Sequence, residues 1–128
     1  MEYVKSFREL EVYKLARQLS REIFEISKKF PKEEMYSLTD QIRRSSRSIG
    51  AQIAEAWGKR KYERHFVSKL TDADGEQLET QHWIEVALDC SCISKQVAND
   101  LLKHCESIGK MLNSMINKAS LFCNKANS

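Results

Sequence analysis

Apolar residues recur along this chain at intervals of three and four, the spacing that gathers them on one side of an α-helix. Leu10, Tyr13, Ala16, Leu19, Ile23 and Ile26 form the first such stripe. Leu38, Ile42, Ser45, Ile49 and Ile53 form the second. A third runs through Phe66, Leu70, Ala73, Gln77, Thr80, Ile84 and Ala87, and a fourth through Val97, Leu101, Cys105, Ile108, Leu112, Met115 and Ala119. The pattern predicts helices over about 7–29, 35–57, 62–90 and 95–119, with 120–128 a frayed polar tail. Local signals agree with these bounds. Ser6-Phe7-Arg8-Glu9 has the form of a capping box, Phe30-Pro31 stops the first helix, and Ser94 is positioned to cap the fourth. Gly75 falls inside the third helix, where it costs about 1 kcal/mol relative to Ala. Either something packs on its bare backbone or the loss is tolerated.

Four one-sided helices joined by short connections bury their stripes most simply as a single all-α domain, an antiparallel up-down-up-down four-helix bundle. If Ile42 and Leu70 are central to its core, truncating either to Ala should cost on the order of 2–5 kcal/mol.

Composition adds bounds. A chain of 128 residues is large enough for one core without disulfides, and one Pro with four Gly leaves little for irregular structure. No apolar run spans a bilayer, and MEYVKSFREL lacks the apolar centre of a secretion signal, so a cytoplasmic protein with reduced cysteines is expected. The net charge of +3 tolerates a polyanion without announcing one.

Candidate chemistry is sparse. Glu79-x-x-His82 has the spacing of di-iron carboxylate bundles, but no second Glu-x-x-His exists. Cys90-Ser91-Cys92 and His104-Cys105 lack zinc spacing, and no nucleophile elbow or phosphate-cradling glycine loop is present. No cofactor or metal is implied, and no enzymatic activity is expected.

Charge placement says more. At about 100° per residue, Asp72, Glu76 and Glu79 share an arc of the third helix with Trp83, on what reads as the face opposite its apolar stripe. Lys14, Arg17, Arg21 and Lys28 share an outer arc of the first helix. Arg43, Arg47, Ala51, Ala54 and Gly58 form a face of the second helix whose small residues would let another helix approach. Arg44 adds to the positive charge, and Lys59, Arg60, Lys61 and Arg64 cluster where the second helix gives way to the third. An acidic, Trp-bearing face and separate basic faces suit head-to-tail contact between copies, with Asp72, Glu76, Glu79, Trp83, Ala51 and Ala54 at the interface. Salt bridges within each bundle would use the same residues.

Leu38-x-x-Gln41-Ile42-Arg43-Arg44, Ser48-Ile49 and Ile53-Ala54-Glu55 resemble the four-helix-bundle family of 23S rRNA intervening-sequence proteins. The likeness extends to Leu10-Glu11-Val12-Tyr13, Phe30-Pro31-x-Glu33, Leu70-x-Asp72-Ala73-Asp74-Gly75-Glu76 and Glu79-Thr80-x-x-Trp83-Ile84. It departs at Gln52, where the family has Asn, at Ala56, where Gly is usual, and at Ser91-Cys92, where a Gly-Tyr pair is common. The resemblance implies a homo-oligomer, a pentameric ring of bundles, linked to fragmented ribosomal RNA. It also implies similarity to the accessory protein of diversity-generating retroelements, which works with a reverse transcriptase. Joined to the charge grouping, it leads to an expected RNA partner held by its backbone on Arg43, Arg44, Arg47, Lys59, Arg60, Lys61 and Arg64. The alternative is an adaptor that recruits a polymerase or ribosome-associated protein through Asp72, Glu76 and Glu79.

Overall fold

The computed structural model describes residues 4–123, and every regular element among them is helical. Four long helices, α1 (Glu11–Ser27), α2 (Asp40–Gly58), α3 (Glu63–Asp89) and α4 (Lys95–Asn117), are followed by the short α5 (Ala119–Phe122). They form a helical bundle in which each long helix packs on the next and α1 also meets α4. Their apolar stripes meet in one core, where Leu19, Ile49, Ile53, Phe66, Leu70, Ile84 and Ile108 are sealed from solvent.

The third stripe is buried throughout as read, polar members included. Thr80 Oγ1 lies 2.9 Å from both Ser45 Oγ, across α2 and α3, and the Glu76 carbonyl, its one proton serving one of them, so two hydroxyls enter the core with partners. Gln77 reaches Asp74 at 2.9 Å and accepts from Gln81 at 2.8 Å. The first stripe is rotated from expectation: Val12 and Ser27 are buried, while Tyr13 and Ile26 lie at its edges. On α4, Ala98 takes the buried place expected of Val97, which is half-buried. Among the described residues nothing comes within 4 Å of a Cβ built on Gly75, so none of them requires the glycine there.

Helix ends depart from the predicted bounds for local reasons. Ser6 does cap, accepting from the Arg8 amide at 3.2 Å, but the capped unit is a separate 3-10 turn, Phe7–Glu9, and α1 begins only after Leu10 adopts an extended backbone. The second helix is entered through a 3-10 turn, Lys32–Glu34, and a π turn, Met35–Thr39, which together carry Leu38 and Thr39 into the interior. Ser94 caps α4 as read, accepting from the Val97 amide at 3.1 Å. The expected fraying of 120–128 is corrected for 120–122: these residues belong to the helical turn Ala119–Phe122, and Phe122 stacks on buried Phe66 with ring centroids 5.9 Å apart. Residues 124–128 lie outside the described part of the chain.

Between α3 and α4 the chain turns through a Schellman motif. The Cys92 amide donates to the Ala87 carbonyl at 2.8 Å and the Ser91 amide to the Leu88 carbonyl at 3.0 Å. Ser91 therefore carries a φ of 60°, in the left-handed region.

Candidate nucleic-acid interface

α2 lies between α1 and α3, and its polar side chains divide between those neighbours. Arg44, Ser48, Gln52 and Glu55 face α3. Arg44 pairs with Glu79 at 2.9 Å, Ser48 donates to Glu76 at 3.0 Å, and Lys69 donates to Gln52 at 3.3 Å and pairs with Glu55 at 2.8 Å. That hydrogen bond holds the Glu55 carboxyl below its usual range and raises Lys69.

These contacts correct the reading of the acidic face. Glu76, Glu79 and Trp83 are not opposite the apolar stripe of α3; they stand roughly a quarter-turn from it, against α2. Trp83 is half-buried on the core, and its indole N–H donates to the same Glu79 oxygen that Arg44 engages, at 3.1 Å. The acidic and basic faces are therefore not separate, since Arg44, Glu79 and Trp83 form one cluster within the chain. Asp72 remains exposed, as does His82, which sets its ring edge against Trp83.

On the other side of α2, Arg43 and Arg47 face α1. Arg43 Nε donates to the buried Ser27 hydroxyl at 2.7 Å, and its guanidinium lies 4.8 Å from the Phe24 ring centre. Arg47 approaches the same ring at 5.5 Å but remains exposed. Next to the small-residue face, α1 packs on α2 at Gly50, where an added Cβ would touch Tyr13 at 3.5 Å. Beside that contact lies an open groove of about 410 Å³ lined on the α2 side by Ala51 and Ala54. Its walls hold Arg17 and Arg21 of α1 and Arg47 of α2, with Phe7, Tyr13 and Phe24 among them. Arg17 is held in place, donating from Nη1 to the Tyr13 hydroxyl at 3.0 Å. No carboxylate lines the groove among the described residues.

The α2–α3 turn contributes a second basic group. Arg60 belongs largely to the scaffold: its Nε donates to the Trp57 carbonyl at 2.8 Å and its guanidinium lies 3.6 Å from the Trp57 ring centre. Burial there pulls it below its ordinary pKa. Lys59, Lys61 and Arg64 are exposed, with Lys61 lying 5.7 Å from the Tyr62 ring centre.

Of the basic residues picked out from sequence, Arg44, Arg47, Lys59, Lys61 and Arg64 thus lie exposed, Arg44 while paired with Glu79, whereas Arg43 and Arg60 are engaged by the fold. The convergence of Arg17 and Arg21 with Arg47 on an aromatic wall is the feature that reading missed. Its signal lies in the helical spacing of Tyr13, Arg17, Arg21 and Phe24, a mixed stripe beside the apolar one.

With this architecture in view, a family model described as "23S rRNA-intervening sequence protein" matches residues 8–114. The chain belongs to that family. It is also similar to a crystal structure from Bacteroides thetaiotaomicron, described as a protein of unknown function from the S23 ribosomal protein family. The two are 28% identical with a TM-score of 0.76, over 83% of this chain and 95% of the other. No curated protein matches this sequence. No described helix is long and apolar enough to cross a membrane.

Proposed function

We propose that this chain is a non-enzymatic RNA-associated protein that acts as a homo-oligomer and docks RNA backbone on its exposed guanidinium and ammonium groups. The observation that carries this reading is the α1–α2 groove, where Arg17, Arg21 and Arg47 converge with no carboxylate among the described lining residues. Lys59, Lys61 and Arg64 extend the positive surface at the α2–α3 turn. Membership of a family named for an intervening sequence in ribosomal RNA supports RNA as the polyanion. A monomer of net charge +3 holds such a ligand weakly, and a ring, pentameric by the family resemblance, repeats the basic groups so that they act together. The adaptor reading has less support, because Glu76 and Glu79 are engaged by Ser48, Arg44 and Trp83.

Filter binding of structured RNA across a salt series tests the proposal. Affinity should fall steeply with salt, and removing Lys59, Lys61 and Arg64 together should flatten the slope by about 0.7–0.9 for each phosphate that is no longer neutralised. Arg44→Ala should change little. Absence of detectable affinity at low salt would remove RNA docking. Light scattering addresses assembly: a species of 14.9 kDa at working concentration would remove the oligomer.

A further inference from the structure

The groove between α1 and α2 offers more than positive charge. Its aromatic side chains hold the cations: Arg17 is fixed to the Tyr13 hydroxyl and lies 5.8 Å from that ring centre, and Arg47 lies over Phe24. Phe7 meets Tyr13 edge-on at 4.9 Å and extends the same wall. Acidic residues that α1 carries nearby are committed elsewhere, Glu22 to His104 at 3.0 Å and Glu25 to Lys28 at 3.2 Å. On the α2 side, Gly50, Ala51 and Ala54 line it with nothing larger than a methyl group. The volume of about 410 Å³ falls within the range of about 300–1,000 Å³ typical of small-ligand sites.

A bare phosphate would engage the guanidiniums and leave the aromatic wall and apolar α2 lining wet. A duplex would bring its backbone but keep its bases stacked inside. One unstacked nucleotide uses both halves of the groove, its phosphate among Arg17, Arg21 and Arg47 and its base on the ring-and-guanidinium wall. We propose that the α1–α2 groove is a subsite for a single nucleotide unit of single-stranded nucleic acid. This rests on the RNA-docking reading for its source of ligand, and it adds a preference for unpaired nucleotides that docking on backbone alone does not supply.

The test uses the full chain titrated separately with UMP and AMP, with uridine and with inorganic phosphate, observing backbone amides by NMR. Either monophosphate should shift the amides of Gly50, Ala51 and Ala54 and bind about tenfold or more tighter than the nucleoside or phosphate alone, since stacking and charge act together. Ala54→Leu fills the groove from a half-buried position, and Arg21→Gln changes an exposed side chain that the core does not need. Each should weaken monophosphate binding by about tenfold, one ion pair or one stacked base in size. Equal affinity for phosphate and UMP, the absence of shifts in the groove, or an Arg21→Gln protein that binds UMP like the parent would overturn the subsite. RNA affinity that persists unchanged in Arg21→Gln and Ala54→Leu, both folded, removes the groove and leaves only docking on Lys59, Lys61 and Arg64 at the α2–α3 turn. Monophosphate binding without measurable RNA affinity does the reverse.

Discussion

Ser91 occupies a backbone conformation that favours glycine. At φ 60° its Cβ crowds the following carbonyl, a strain of about 1–2 kcal/mol for an L-residue, and the Schellman bonds of the α3–α4 turn hold it there. This is also where the sequence departs from the Gly-Tyr pair common among the proteins it resembles. Ser91→Gly should stabilise the fold by about 1 kcal/mol, read as a higher urea midpoint at unchanged slope. A lower midpoint would mean that the serine side chain supports the turn. Cys105 gives a prediction of a different kind. Burial pushes its thiol from an ordinary 9.0 up to about 12, so the folded chain keeps a proton that the unfolded chain releases. Its contribution to stability is therefore complete below pH 9 and is lost as pH rises toward 12. Unfolding curves across that range should decline more steeply for the parent than for Cys105→Ala, whose starting stability will itself be lower. Parallel pH profiles would contradict the assignment.

At the scale of the helix, two adjacent arginines of α2 have unlike roles. Arg43 satisfies a buried hydroxyl on α1 and covers Phe24, so Arg43→Ala should cost on the order of 1–2 kcal/mol. The Arg44–Glu79 pair is largely exposed, with side chains 59% and 36% accessible, so Arg44→Ala should cost at most about 1 kcal/mol. Thermal melts of the two variants make the comparison, and equal losses would refute it. Sequence periodicity carries the core of α3 completely because one stripe persists through the whole helix, and its polar members, Gln77 and Thr80, find partners inside. It does not carry the rotation of α2 between two neighbours. A quarter-turn decides whether Arg44 reaches Glu79 or solvent, and whether Trp83 faces out or lies on the core. Nor does it reveal the groove, whose walls come from Phe7, Arg21 and Arg47, residues far apart in the chain that meet only when α1 crosses α2. The π turn before α2 is equally hidden, since it changes the path by one residue without changing the apolar spacing.

For the molecule as a whole, the seams are unequal. α2 and α3 share the broadest contact, while α1 meets α4 sparingly and leaves between them an opening lined by Ile26, Val97 and the Glu22–His104 pair. The helix with the lightest attachment should open first. Native-state hydrogen exchange is expected to show α1 amides exchanging through a smaller free-energy gap than those around Ile49 and Leu70, and uniform protection across all four helices would contradict this. The same imbalance has a consequence for the cleft beside Tyr13. One of its two banks is the segment most ready to lift away, so any occupant touching both banks works as a clasp and must leave before that segment can detach. Ligand at a hundred times its dissociation constant would then add about 2.7 kcal/mol against such opening, making slowed exchange in one helix a readout of occupancy even where no activity can be assayed.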